Sequence, residues 1–108
     1  MAIDIETKKP YIGSVYGGYS GPAIKPMALY RVWQVAKNTE IPIIGGGGIE
    51  KGADAIEFIL AGSTAISLGT INMVYPNSAK TILADLKQYM KKNKVYDINK
   101  LKSKLGLE

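Results

Sequence analysis

An α/β fold with a parallel sheet covered by helices is predicted by three observations. Residues 41–44 (Ile-Pro-Ile-Ile) and 64–68 (Thr-Ala-Ile-Ser-Leu) are short, nearly continuous apolar runs, as expected for strands buried on both faces. A stripe at helical spacing lies between them, and further stripes lie before and after. Both runs lead directly into glycine, at Gly45 and at Gly69. With short connections, this α-β-α-β-α rhythm is that of parallel strands joined by helical crossovers.

Each element has its own signal. Residues 2–6 alternate apolar and polar, which predicts a short strand. Residues 7–10 (Thr-Lys-Lys-Pro) read as a turn, and Tyr11, Ile12 and Val15 as the return strand of a hairpin. A glycine-rich loop follows over residues 17–22. A helix is predicted from about Pro26, since proline suits a first turn; Ala28, Leu29, Val32, Val35 and Ala36 form its stripe and Asn38 its stop. After the strand at 41–44, Ala53, Ile56, Ile59 and Leu60 mark a second helix, with Gly62 just past its end. A third helix is predicted from about Pro76 to Lys91, with Ala79, Leu83, Leu86 and Met90 on one face. Asp97 is placed to cap a last short helix carrying Ile98, Leu101 and Leu105, closed by Gly106.

Composition narrows the chemistry. A chain of 108 residues, 46% hydrophobic and 21% charged, suits one globular unit. There is no cysteine, so no disulfide and no thiolate nucleophile or ligand; there is no histidine, so no imidazole base. No metal site is expected. No apolar run approaches the roughly 20 residues of a membrane span, and residues 1–10 lack the organisation of a signal peptide. A cytoplasmic protein without a membrane partner is the expectation. The net charge is +5, with Lys87, Lys91, Lys92, Lys94, Lys100, Lys102 and Lys104 concentrated late. A solvated lysine-rich surface is expected there, and no nucleic-acid partner, because no base-reading motif or aromatic platform accompanies the charge.

The run Gly45-Gly46-Gly47-Gly48 carries the strongest chemical signal. Four residues without a Cβ leave their amides bare and free to adopt positive φ. Such a loop at the mouth of a helix suits an anion, phosphate above all. A dinucleotide fingerprint is disfavoured: Glu50 stands where its last glycine is needed, and Leu68-Gly69 where an acidic residue should close the next strand. A phosphate loop of the Gly-Lys-Ser/Thr type does not occur. One glycine run is usually a tight turn. Two of them, at the ends of consecutive strands, converge on the corner where (β/α)₈ barrels often hold phosphate, after strands 7 and 8.

The ordered set Gly17-Gly18-Tyr19-Ser20-Gly21-Pro22-Ala23-Ile24-Lys25-Pro26, Ile41-Pro42-Ile43-Ile44-Gly45-Gly46-Gly47-Gly48-Ile49, Leu60-Ala61-Gly62 and Leu68-Gly69-Thr70 resembles the C-terminal part of class 1 dihydroorotate dehydrogenases. Residues 1–7 are similar to that family as well, and the subclass most resembled is 1B, the NAD-linked type that passes electrons to a separate iron–sulfur flavoprotein subunit. The resemblance implies a single partial domain over 1–108: the C-terminal portion of a TIM (β/α)₈ barrel, about strands 7 and 8 with flanking helices, preceded by a β-hairpin. It implies FMN as cofactor and the oxidation of dihydroorotate to orotate in pyrimidine (UMP) biosynthesis. Residue by residue, Gly21, Gly47, Gly48, Gly69 and Thr70 match the positions that hold the FMN phosphate and nearby ribityl group. Lys25 is a candidate extra charge, although a loop lysine in solvent is the plainer reading. Gly46 stands where relatives often carry a bulkier residue, so a looser loop is expected.

The resemblance also implies what to expect elsewhere. The family's catalytic base, a cysteine in this subclass, belongs to a preceding segment, as do the lysine that contacts the flavin and the asparagines that grip orotate. Ser14, Ser20, Ser63 and Ser67 fall in other motifs, so no residue of this chain is assigned as catalytic. The expected partners are an N-terminal barrel segment and an FAD/iron–sulfur electron-transfer subunit. The chain by itself is expected to be inactive and to associate with itself or other chains, because two strands leave sheet edges open. Two other readings stay open: a non-catalytic phosphate- or flavin-binding remnant, and a segment of a related FMN barrel such as dihydropyrimidine dehydrogenase.

Overall fold

The computed structural model describes residues 1–102 and Leu105. At the N-terminus, β1 (Ile3–Asp4) pairs antiparallel with β2 (Lys9–Pro10), Ile3 facing Pro10 and Asp4 facing Lys9. Asp4 organises the turn between them: its Oδ1 accepts the amides of Glu6 (2.9 Å) and Thr7 (3.1 Å). Those bonds, that from Thr7 first, hold its carboxyl below the ordinary aspartate range. The second strand is therefore not at 11–15, as the apolar residues suggested. There the backbone coils instead: the Val15 amide reaches back to the Ile12 carbonyl, and Val15 itself has φ +69°.

A single 3₁₀ turn over Pro22–Ile24 leads into α1 (Lys25–Ala36), with Pro26 in the first turn as expected. Asn38 ends it by donating its side-chain amide to the Gln34 carbonyl at 2.7 Å. β3 (Ile44–Gly46) and β4 (Ala65–Ser67) form a two-stranded parallel sheet in which Ile44, Gly45 and Gly46 face Ala65, Ile66 and Ser67. Pairing begins later than residue 41 because Pro42 has no N–H to offer. The Ile43 carbonyl makes the first link, accepting the amides of Thr64 and Ala65. Between the strands runs α2 (Gly52–Ala61), ended by Gly62 in a left-handed conformation (φ +122°), as the sequence indicates.

The region after β4 differs from expectation. The helix expected from about residue 76 is present as α4 (Ser78–Lys92), but a further helix, α3 (Thr70–Val74), precedes it and ends at an extended Tyr75. Five residues are too few to show a helical period, so α3 leaves no signal in the sequence. Its position is set by Asn72, whose side chain donates to the Leu68 carbonyl and accepts the Ser78 hydroxyl across the break. The last turn, Ile98–Leu101, is 3₁₀ rather than α and is capped by Asp97, which accepts the Asn99 amide at 2.9 Å. Leu101 is buried, whereas Leu105 lies beyond that turn and is exposed. Gly106 lies outside the described residues.

The core gathers around α2. Ala55 and Phe58 are fully buried, Ile49 and Ile82 join them, and Val32, Ile66, Leu68 and Leu86 pack around this cluster. Helix α2 thus lies between α1 and α4, with the sheet beneath. The outer surfaces of the sheet remain bare, Ile44 being 72% exposed. The molecule measures 58 × 33 × 22 Å, with a radius of gyration of 17.0 Å. A compact chain of about 100 residues would have about 13 Å.

Candidate functional site

The site begins where β3 runs out. Gly47 and Gly48 follow the strand with φ of +119° and +73°, left-handed values that side chains rarely tolerate. Space is as restrictive as conformation. A Cβ on Gly48 would come within 2.8 Å of both the Gly21 carbonyl oxygen and the Lys25 amide nitrogen, and one on Gly47 within 2.8 Å of the Ala28 Cβ. The glycine run is thus pressed against the entrance of α1. Only bare backbone allows the 45–48 and 20–25 loops to approach this closely.

Gly21 turns the second loop with φ +100°, and nothing stands within 4 Å of where its Cβ would be. Gly69 precedes α3 with the same open space above it. These separate stretches meet: Gly21, Gly47, Gly48, Gly69 and Thr70 all line one cavity of about 230 Å³, closed further by Ser20, Pro22, Ile24, Ser67 and Val74. Among the described residues, the amides of Gly48, Gly69 and Thr70 donate to no protein acceptor. A concave wall of unengaged N–H groups and one threonine hydroxyl is suited to oxygens of an anion. No lysine or arginine lines the cavity, while Glu50 does. Any attraction for an anion there therefore comes from backbone dipoles rather than from a cation.

Lys25 has a different role from either of those considered for it. It is the first residue of α1, and its ammonium donates to Asp54 Oδ1 at 2.6 Å and pairs with the Glu57 carboxylate at 3.0 Å. Asp54, 4% exposed, completes its set with the amides of Glu50 (3.0 Å) and Lys51 (3.1 Å) on Oδ2. Burial pushes the Asp54 carboxyl upward, but the Lys25 bond and the two amides outweigh it and hold it below the usual carboxylate range. The bonds to Asp54 and then Glu57 raise Lys25. Sequence reasoning missed Asp54. A carboxylate three residues into α2 is a signal for capping at a helix N-terminus, yet nothing local announces a partner 29 positions upstream.

Gly46 also reads differently in three dimensions. A Cβ there would meet the Ser67 carbonyl oxygen at 2.9 Å, so the absent side chain lets β4 sit close rather than loosening the loop. Gly45 similarly leaves room for the Ser63 hydroxyl and the Phe58 ring. No cluster of three or more potential metal-binding side chains occurs among the described residues, and no helix there is long and apolar enough to cross a membrane.

Against known proteins, the family model for dihydroorotate dehydrogenase matches residues 1–90. The chain belongs to the dihydroorotate dehydrogenase family. It is 50% identical over 101 residues to the catalytic subunit of dihydroorotate dehydrogenase B (NAD(+)) of Desulforudis audaxviator, and 52% identical to that of Desulforamulus reducens. Each match takes in 94% of this chain and 33% of the relative, so the chain spans about a third of the length of these curated relatives. The crystal structure of ligand-free DHODH from Eimeria tenella resembles it with a TM-score of 0.75 at 28% identity, over 89% of this chain and 28% of that one. The ferulenol complex of the same organism's DHODH gives 0.73 at 31% identity, over 79% and 23%.

Proposed function

We propose that this chain is the phosphate-holding segment of the FMN site in an NAD-linked dihydroorotate dehydrogenase, an oxidoreductase of pyrimidine biosynthesis in the cytoplasm. In this reading residues 1–108 are one partial domain, β3 and β4 are about strands 7 and 8 of a (β/α)₈ barrel, and the β1–β2 hairpin precedes them. One observation carries the proposal: five residues chosen from three separated motifs line a single cavity, and three of their amides have no acceptor among the described residues. The names of the relatives favour dihydroorotate over the uracil-reducing alternative.

FMN fits what the cavity offers, because a phosphate needs several convergent donors and backbone low enough to admit it. Gly48, Gly69 and Thr70 would donate amides, Thr70 its hydroxyl as well, and the absent Cβ atoms of Gly21 and Gly69 leave room for the group. When bound, FMN supplies the hydride-accepting ring on which dihydroorotate is oxidised to orotate. This chain's part is to hold and orient its phosphate end. The first partner is the complementary barrel segment, which would cover the bare sheet around Ile44. The second is an FAD/iron–sulfur subunit that takes the electrons onward.

The test is complementation. The purified 108-residue chain alone should show no dihydroorotate oxidation. Mixed with the preceding two thirds of a relative's catalytic subunit, it should retain FMN through gel filtration and oxidise dihydroorotate. Steady turnover by the lone chain, or a mixture that keeps no flavin, would refute the assignment.

A further inference from the structure

We propose that the Lys25–Asp54 pair is a positioning device for the cavity, setting the spacing between its two glycine loops and so its hold on a phosphate. The inference rests on the phosphate reading above and adds two residues to which that reading gives no role. Neither side chain lines the cavity. Both instead fasten the loops that do.

The geometry is specific. Asp54 is a single buried carboxylate with partners on two chain segments. Its Oδ2 accepts the amides of Glu50 and Lys51, which follow Gly48-Ile49, while its Oδ1 takes the ammonium of Lys25, which ends the Gly21 loop. Directly above this link, the Gly21 carbonyl and the Lys25 amide press on the place where a Gly48 side chain would be. Pulling Asp54 away frees both loops at once. The carboxylate also keeps Lys25 occupied, with Glu57 as second partner, and the Lys25 side chain does not line the cavity. A charge-assisted link of this kind between loops of different elements fixes separation better than packing alone, because its donor and acceptor distances are short and directional.

The experiment uses the isotope-labelled 108-residue chain in complex with the preceding two thirds of a relative's catalytic subunit, with and without flavin. Amide resonances are compared in the wild type, Asp54→Asn, Lys25→Met and Lys25→Arg, and flavin fluorescence gives the affinities for FMN and for riboflavin, which lacks the phosphate. In Asp54→Asn and Lys25→Met the amides of Gly21 and Gly48 should shift, and those of the distant Asn38 and Asn93 should not. FMN affinity should fall by about tenfold, the lower end of what a metal site loses when the hydrogen-bond partner of a ligand is removed, while riboflavin affinity stays unchanged. Lys25→Arg should restore both readouts. Unmoved Gly21 and Gly48 amides in either folded variant would overturn the positioning role alone. Equal wild-type affinities for FMN and riboflavin would overturn the phosphate reading of the cavity, and with it any role of the pair toward phosphate. Because the two variants remove opposite charges, one that fails to fold leaves the other to decide.

Discussion

The first twenty residues and the stretch from Gly45 to Gly62 are both rich in apolar side chains, yet they use them differently. From 45 to 62, Ile49, Ala55, Phe58 and Ile59 all disappear into the interior. From 1 to 20 every residue but Asp4 is exposed, including Ile5, Tyr11, Tyr16 and Tyr19. The N-terminal hairpin is held by backbone ladder and the Asp4 turn, whereas α2 is held by neighbours on both sides. Local hydrogen bonding can shape a short segment, but burial needs a second surface. In the α2 region α1 and α4 provide it. In the hairpin region nothing among the described residues does. The N-terminal apolar side chains therefore form an exposed surface with no covering element among the described residues.

The contrast can be broken most forcefully at Phe58. Replacing this fully buried ring by alanine should destabilise the chain by about 3–5 kcal/mol in urea unfolding, whereas Tyr16→Ala, at a 76% exposed position, should stay within about 0.5 kcal/mol. Loss of similar size at both positions would mean that the hairpin carries hidden packing.

The ion pair should come next. Asp54→Asn should cost about 2–3 kcal/mol, less than a fully buried pair because Lys25 is part-exposed. The pH dependence follows from the shift directions. Asp54 is lowered in the folded chain, so its contribution is present above the ordinary aspartate range and is lost as pH falls through the lowered value. Lys25 is raised, so its contribution is complete below the ordinary lysine range and fades as pH rises through the raised value. Chemical denaturation across pH should show a neutral plateau with both edges, and Asp54→Asn should flatten the acid one.

Two glycines differ in the same way on a smaller scale. Gly48→Ala should cost about 1–3 kcal/mol, since φ is left-handed and the Gly21 carbonyl blocks the new methyl. Gly18→Ala, in the exposed loop with nothing within 4 Å, should be silent. Only the first should weaken FMN retention. Smallest in stability, but visible in sedimentation, Ile5→Ser with Tyr19→Ser should reduce self-association without moving the unfolding midpoint. An unchanged association constant would place the sticky surface elsewhere, with the bare β3–β4 sheet next in line.

What was legible from the residues was largely local in origin. Gly62 ends α2 because only glycine enters the left-handed region freely, and Asp97 caps its turn because a short acceptor reaches an amide two residues on. The strand at 65–67 and the stripes of α1 and α2 follow from period and composition. The glycine loops were visible directly, as a property of the backbone, whereas the choice of Gly21, Gly47, Gly48, Gly69 and Thr70 within and beside them came from the resemblance to a known family. Other features had no local signature. The Tyr75 break, the displacement of β2 to Lys9–Pro10 and the late start of β3 depend on hydrogen bonds made or forbidden by particular neighbours. That the glycine loops share one cavity, and that Lys25 serves Asp54 rather than an anion, were decided by tertiary structure. Where the backbone could turn and which faces were apolar followed from the residues alone, because those depend on each residue's own φ, ψ and side chain. Only the folded chain could decide which turns meet and which charges neutralise one another, because those energies depend on distances between residues far apart in the chain.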